Sequence, residues 1–298
     1  MLTRKSKYLF TKILSFFSVI RGHNILVIIV AQYLASIFIL SPNINALNII
    51  FDFQLFILVI ASSLAIASGY IINNFYDAKK DLINRPTKVM IDRLVSQQTK
   101  LKVYFSINFI VVLISSFVSW RAMLYFSIYI FSIWFYSHKL KKYPIIGNIT
   151  ASILAILPFF AILLYYKHFY HVIIAHASFL YLLILIRELI KDLENIQGDL
   201  LTNYSTIPVL YGEKIAKFII SILVVSTIIP VFFLVDVYEV GYMDIYFYIS
   251  TMVLVFFLIR LWDSSTKTDY LNLHFLLKVI IILGVFCIVL IKPTALFH

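Results

Sequence analysis

The sequence predicts an all-α polytopic membrane protein of nine transmembrane helices, and three observations carry that prediction. The 298 residues are 62% hydrophobic and only 13% charged, with a mean hydropathy of +0.97, whereas roughly a quarter of residues are charged in an ordinary soluble chain. Apolar runs long enough to cross a hydrocarbon core of ~30 Å recur along the whole length. The cationic residues sort onto alternate sides of those runs. The short alternating segments of a transmembrane β-barrel are absent from the sequence.

Taken in order, residues 1–19 begin with Arg4, Lys5, Lys7 and Lys12 around short apolar stretches. They lack the uninterrupted apolar run and small-residue cleavage site of a signal peptide, so a cytoplasmic helix lying on the membrane surface is expected. The spans are expected near 22–40, 53–72, 103–119, 122–137, 147–166, 169–190, 216–235, 243–261 and 274–291. Pro144 and Gly147 shape the approach to the fifth span, and Pro158 kinks it. The single cysteine, Cys287, lies in the last apolar run and reads as an inert buried thiol. The chain is thus expected to form one membrane domain, 1–298, with an interfacial segment at 1–19 and a helical bundle at 20–298.

Orientation follows from Lys and Arg. The N-terminus carries five, the loop 73–102 seven, 138–146 three, 187–217 four and 260–278 three, leaving only Arg121, Lys167 and Lys292 for the other side. The positive-inside rule places the N-terminus and the charged loops in the cytoplasm and the C-terminus outside, in a plasma or cytoplasmic membrane. The net charge of +11 is therefore ascribed to topology and anionic membrane lipid, and no nucleic-acid partner is expected.

The chemistry concentrates in two cytoplasmic stretches, "NNFYDAKKDLINRPTK" after the second span and "RELIKDLENIQGD" after the sixth. Asn74, Asp77 and Asp81 have the spacing of Asp192, Asn195 and Asp199. On a continuous helix, positions i, i+3 and i+7 share one ridge, and the four spans between the stretches hint at an internal repeat. Hard oxygen donors without His or Cys suit Mg2+. Both stretches lie at C-terminal helix ends, where the macrodipole favours a cation. Two carboxylate ridges would hold Mg2+ and, through it, a diphosphate, while Lys79, Lys80, Arg85, Lys88 and Lys191 neutralise outer phosphate oxygens. The histidines His138, His168, His171, His176 and His274 show no paired metal spacing and read as mostly interfacial.

"NNFYDAKKDLINRP" resembles the first acidic motif of the UbiA family of intramembrane prenyltransferases, and "KDLENIQGD" resembles that family's second. "FYSHKLKKYPIIGN", Phe135 to Asn148, is similar to the loop after the family's fourth span, and "IRGHN", Ile20 to Asn24, to the start of its first. The resemblance runs from about residue 20 to the end of the ninth span. It departs from the family pattern at Asn74 and Asn195, where the family usually has Asp.

The resemblance implies nine helices around a central cavity and Mg2+-dependent transfer of an isoprenyl chain from a polyprenyl diphosphate donor to a lipophilic acceptor. It makes Asp77, Asp81, Asp192 and Asp199 the catalytic metal ligands. Asn73, Asn74 and Asn195 become auxiliary ligands or diphosphate donors. Arg85, Lys88 and Lys191 become diphosphate contacts, and Arg21, Asn24, Tyr136, Lys139 and Lys142 line the cavity. Asn24, an amide just inside a span, needs a buried partner. The "RELIKDLENIQGD…STIP" arrangement is most similar to the branch that alkylates the free hydroxyl of a prenylglyceryl phosphate, a geranylgeranyl ether-lipid chemistry. An aromatic acceptor in quinone or haem-type biosynthesis is the alternative within the family, and a non-catalytic prenyl-lipid binding protein or a transporter the alternative outside it.

Overall fold

The computed structural model describes the backbone over residues 4–293 and side chains over residues 11–293. The side chains of Arg4, Lys5 and Lys7 and the last five residues lie outside the described residues. Among those described, every regular element is helical. Helix α1 (Arg4–Val19) precedes α2 (Gly22–Ala35), which passes into a π turn at Ser36–Leu40. A short α3 (Ala46–Ile50) leads to α4 (Phe53–Tyr76), and α5 (Ala78–Asn84) and α6 (Pro86–Asp92) occupy the first long loop. Then come α7 (Gln97–Ser116), α8 (Trp120–His138), α9 (Ile146–Tyr166), α10 (His171–Glu194), α11 (Ile196–Leu201) and α12 (Ile207–Tyr211). The chain continues through α13 (Glu213–Ser226), α14 (Ile228–Phe232), α15 (Asp244–Asp263) and α16 (Lys267–Cys287).

Local chemistry sets several of these boundaries. The Ser96 and Ser119 side chains accept hydrogen bonds from the Thr99 and Ala122 amides and open α7 and α8. Thr266 and Asp269 form a reciprocal capping box at α16. Arg85 is driven out of helical geometry (φ −143°, ψ 60°) by the following Pro86, which closes α5 and starts α6 with the proline in its first turn.

Among the described residues, eight helices are long and apolar enough to cross a membrane. The difference from nine expected spans is α8. Its 19 residues reach about 28 Å at 1.5 Å per residue, but Arg121 and the interleaved Trp, Tyr and Ser dilute its hydrophobicity. The third span begins at Gln97, earlier than expected, because Ser96 caps it. The outward faces of the long helices are apolar. On α15, Ile245, Ile249, Met252, Phe256 and Ile259 are exposed while Tyr246, Ser250, Leu254, Phe257 and Leu261 are buried. A helix with grease on its outside as well as its inside is built for lipid. The chain is an integral membrane protein.

The contacts separate into two compact units. The first joins the segment ending at Ile29 to Ile57–Leu140. Its core comprises Val19, Ile71, Ile72 and Tyr104, with Phe16, Ile107, Ile133 and Trp134 packed around them. Helix α1 also packs on α6, so it is part of this unit as well as carrying an exposed apolar side at Ile13, Leu14 and Phe17. The second unit joins Val30–Phe56 to the chain from Lys141 onward. Helix α10 is its axis, packing on α9, α13 and α16. Phe179 of α10 meets Phe247 of α15 edge to face at 5.3 Å, an arrangement aromatic quadrupoles favour.

In the first unit α4 and α8 approach closely at Gly69. A Cβ there would lie 2.9 Å from Ile133 Cγ2, which is why a small residue occupies the crossing. Gly69→Val is expected to destabilise the protein by about 1–3 kcal/mol through overpacking. Thermal unfolding in detergent checks this, and Ile133→Ala placed in the same chain should recover part of the loss.

Candidate functional site

The two acidic stretches share a local structure that a continuous helix would not have. Helix α4 ends at Tyr76 and α5 starts at Ala78, with Asp77 between them at φ −86°, ψ 2°. Helix α10 ends at Glu194 and α11 starts at Ile196, with Asn195 between them at φ −111°, ψ 13°. Both residues occupy the sparsely populated bridge region. Each is the middle member of its triplet, so the expected single ridge is bent at the same position in both stretches. Backbone bonding nevertheless carries across each break. The Asp81 amide donates to the Asp77 carbonyl at 2.8 Å, and the Asp199 amide to the Asn195 carbonyl at 3.0 Å.

In the first unit Asp77 and Asp81 are half-buried and Lys79 is exposed. Asn74 lies one turn before the break and is buried. Its Nδ2 donates to Asp92 Oδ2 at 2.8 Å, and its Oδ1 accepts from Lys100 Nζ at 2.8 Å. Asp92 also accepts from Ser18 Oγ at 3.0 Å and pairs with Lys88 at 3.5 Å. Asn74 therefore has protein partners on both ends of its amide, and Asp92 and Lys100 enter the site unannounced by the motif. The Lys88–Asp92 pair was legible as an i, i+4 spacing. The Asn74 contacts, across 18 and 26 residues, were not.

The junction of α1 and α2 brings two more expected residues onto one ring. The Arg21 guanidinium stands 5.0 Å from the centroid of the Tyr70 ring, and Asn24 Nδ2 donates to the Tyr70 hydroxyl at 3.3 Å. Tyr70, itself half-buried, is the partner of the Asn24 amide. Arg21 has φ +50°, a left-handed conformation that a branched or long side chain adopts at a cost of order 1–3 kcal/mol. Burial, and then the Arg21 guanidinium, lower the pKa of the Lys88 ammonium, with Asp92 and then Asp81 raising it. Arg21 and Asp81 thus both lie within electrostatic reach of Lys88. Of the remaining expected residues in this unit, Asn73, Arg85 and Tyr136 are half-buried and Lys139 is exposed.

In the second unit Asp192 Oδ2 accepts from Asn148 Nδ2 at 2.7 Å, which ties the loop motif to the acidic one. Asp199 is fully buried and accepts from Thr206 Oγ1 at 3.3 Å. Asn195 Nδ2 donates to the Lys191 carbonyl at 2.5 Å, so this amide closes the end of α10. Lys191 Nζ pairs with Glu188 at 2.7 Å, which makes any phosphate compete with that carboxylate. Lys142 is exposed, with its Nζ 5.8 Å from the centroid of the Tyr204 ring.

Glu194, inside the second motif, turns elsewhere. Its carboxylate bonds His274 Nδ1 at 2.8 Å, and Arg187 Nε donates to His274 Nε2 at 3.0 Å. Because Nε2 accepts, Nδ1 carries the proton and donates to Glu194. The imidazole therefore ties α16 to the C-terminal part of α10 at Arg187 and Glu194.

In each stretch the two aspartates, with their amide and hydroxyl neighbours, offer oxygen donors only. Among the described residues no three His, Cys, Asp or Glu side chains gather into a ready-made metal cage. That combination fits Mg2+, which takes one or two carboxylates and completes its octahedron with phosphate oxygens and water.

Helices at membrane-spanning length, with aspartates flanking or occupying matched breaks, define an integral membrane protein whose acidic side chains gather at helix ends. The chain belongs to the UbiA prenyltransferase family, whose profile matches residues 23–290. Among similar proteins, the digeranylgeranylglyceryl phosphate synthase of Methanobrevibacter smithii is 29% identical over 240 residues, covering 76% of this chain and 80% of the relative. That of Pyrococcus furiosus is 28% identical over 229 residues, covering 74% and 78%. A solved digeranylgeranylglyceryl phosphate synthase structure superposes with a TM-score of 0.71 at 19% identity, covering 96% of this chain and 99% of the other. A UbiA homolog from Archaeoglobus fulgidus bound to GPP and Mg2+ gives 0.67 at 14% identity, covering 92% and 99%. At those identities the structures establish a shared fold.

Replacing His274 by Leu should cost on the order of 1–3 kcal/mol, since it strands the Glu194 and Arg187 groups it bridges. His274→Gln, which keeps a donor and an acceptor, should cost less. Thermal unfolding of the two variants in one detergent makes the comparison.

Proposed function

We propose that this protein is a Mg2+-dependent prenyltransferase that moves an isoprenyl group, such as geranylgeranyl, from its diphosphate to the free hydroxyl of a prenylglyceryl phosphate. The observation that carries this reading is the pair of aspartate-bearing helix breaks with one spacing and one broken position. The family membership supports the reaction class. The names of the similar archaeal proteins support the acceptor, and the Mg2+ and GPP bound by the Archaeoglobus fulgidus homolog support the cofactor and donor.

In this reading Asp77, Asp81, Asp192 and Asp199 hold Mg2+. When bound, the metal neutralises charge that develops on the diphosphate as it leaves. Asn73 and Asn195 stand beside these ligands, and Arg21, Arg85, Lys88 and Lys191 supply cations for the phosphate oxygens. The Tyr70 ring fixes Arg21 by its π face, and Lys139, Lys142, Tyr136 and Asn24 complete the polar lining. The allylic C–O bond breaks with its electron pair going to the diphosphate. The acceptor oxygen bonds the allylic carbon, and its proton passes to the departing diphosphate. The carbon at that moment is cation-like, so apolar and aromatic walls must keep water away from it. Residues 1–298 work as one membrane domain, with the N-terminus and the acidic stretches cytoplasmic and the C-terminus outside.

Purified protein with Mg2+ and labelled geranylgeranyl diphosphate should transfer label to geranylgeranylglyceryl phosphate, and EDTA should stop it. Transfer only to an aromatic acid would replace the acceptor, and no diphosphate release with any acceptor would remove the enzyme reading. Asp77→Ala and Asp199→Ala should each lower kcat by at least about 100-fold while leaving membrane insertion intact. Near-normal turnover by either variant would refute its assignment as a ligand.

A further inference from the structure

We propose that Asp92 is a positioning residue for the first acidic stretch, acting through Asn74 to set the helix break that presents Asp77 and Asp81. The inference rests on the reading of those two aspartates as Mg2+ ligands. It starts from two ions that should not be buried alone. Asp92 is 2% exposed and Lys100 1% exposed, and each would be costly in isolation. They are joined through one side chain: Lys100 Nζ donates to Asn74 Oδ1, and Asn74 Nδ2 donates to Asp92 Oδ2, both at 2.8 Å.

Position 74 must therefore accept from an ammonium and donate to a carboxylate at once. Asn does both. Asp can accept but not donate, and would set two carboxylate oxygens against each other at hydrogen-bond distance. The remaining contacts fix Asp92 from other sides, Lys88 Nζ pairing with its Oδ2 at 3.5 Å. Ser18 Oγ donates to its Oδ1 at 3.0 Å, and Ser15 Oγ donates to the neighbouring Ile91 carbonyl at 2.7 Å, so α1 holds α6 in place. Asn74 in turn lies three residues before Asp77, the residue at the break. Lateral displacement at Asn74 moves the aspartates that follow.

Swapping the two side chains keeps the bond between positions 74 and 92 with its direction reversed, and gives up the Lys88–Asp92 ion pair. In an Asn74→Asp/Asp92→Asn chain, the new amide at 92 donates to the carboxylate at 74 and still accepts from Ser18, while Lys100 donates to the carboxylate directly. Three readouts on full-length protein in detergent test the proposal: the unfolding midpoint, the Mg2+ midpoint for binding inorganic diphosphate, and the affinity for diphosphate at saturating Mg2+. Asn74→Asp alone should lower the unfolding midpoint and raise the Mg2+ midpoint roughly tenfold, the usual scale for a residue that supports a metal ligand. The double swap should recover most of each shift, short of what the lost Lys88 pair contributes.

A single Asn74→Asp variant that binds Mg2+ more tightly would overturn the proposal by showing that position 74 faces the metal. So would a folded Asn74→Asp variant with an unchanged Mg2+ midpoint, which would make the contact purely structural. Failure of the swap to recover the Mg2+ midpoint would overturn this inference alone. A wild-type chain that binds no diphosphate with Mg2+ would overturn the donor-site reading and, with it, the positioning role of Asp92.

Discussion

Hydrocarbon offers a polar group no partner, and that constraint governs where most polar groups of the described spans find their bonds. Backbone amides and carbonyls pair within helices. Small hydroxyls inside the spans turn back on their own helix, as Ser63 does to the Val59 carbonyl at 2.8 Å, Ser132 to Ile128 at 2.8 Å and Thr251 to Phe247 at 2.8 Å. Larger groups reach across. Gln32 Nε2 donates to the Pro158 carbonyl at 3.1 Å, and the Tyr246 hydroxyl to the Ile280 carbonyl at 3.1 Å. Nothing so economical can satisfy four aspartates and their cations, so they collect at helix ends.

That constraint also decides what could be read from the chain alone. Length and apolar content mark the long helices because lipid exposure requires apolar side chains all round. Pro86 marks the end of α5 because its ring dictates the backbone of Arg85. The acidic triplets were visible as spacing, since i, i+3 and i+7 are properties of one helix. The break within each triplet was not visible. Nothing in "FYDAKK" or "LENIQG" forbids a helix, and the bridge-region backbone at Asp77 and Asn195 is a product of packing. The Asn74–Asp92–Lys100 chain and the Arg187–His274–Glu194 bridge join residues from different helices, and no periodicity links 194 to 274. The nine expected spans and the eight long apolar helices among the described residues differ at α8 for a compositional reason. Its Arg, Trp and Tyr residues make it a helix of nearly spanning length whose hydropathy falls short.

The two departures from the family's acidic pattern have one physical explanation. Each triplet holds two aspartates and one asparagine, and in each the asparagine uses its N–H where a carboxylate has none. Asn74 donates to Asp92, and Asn195 donates to the Lys191 carbonyl, one of the orphan acceptors at the end of α10. Substitution by aspartate would place a negative charge against a carboxylate in the first case. In the second it would place one against a carbonyl at the negative end of the helix dipole. The amides thus do structural tasks, and each stretch keeps two aspartates beside them. Losing two of the family's charges does not empty the site. In the first stretch a buried carboxylate still stands at Asp92, and it requires that its neighbour be an amide.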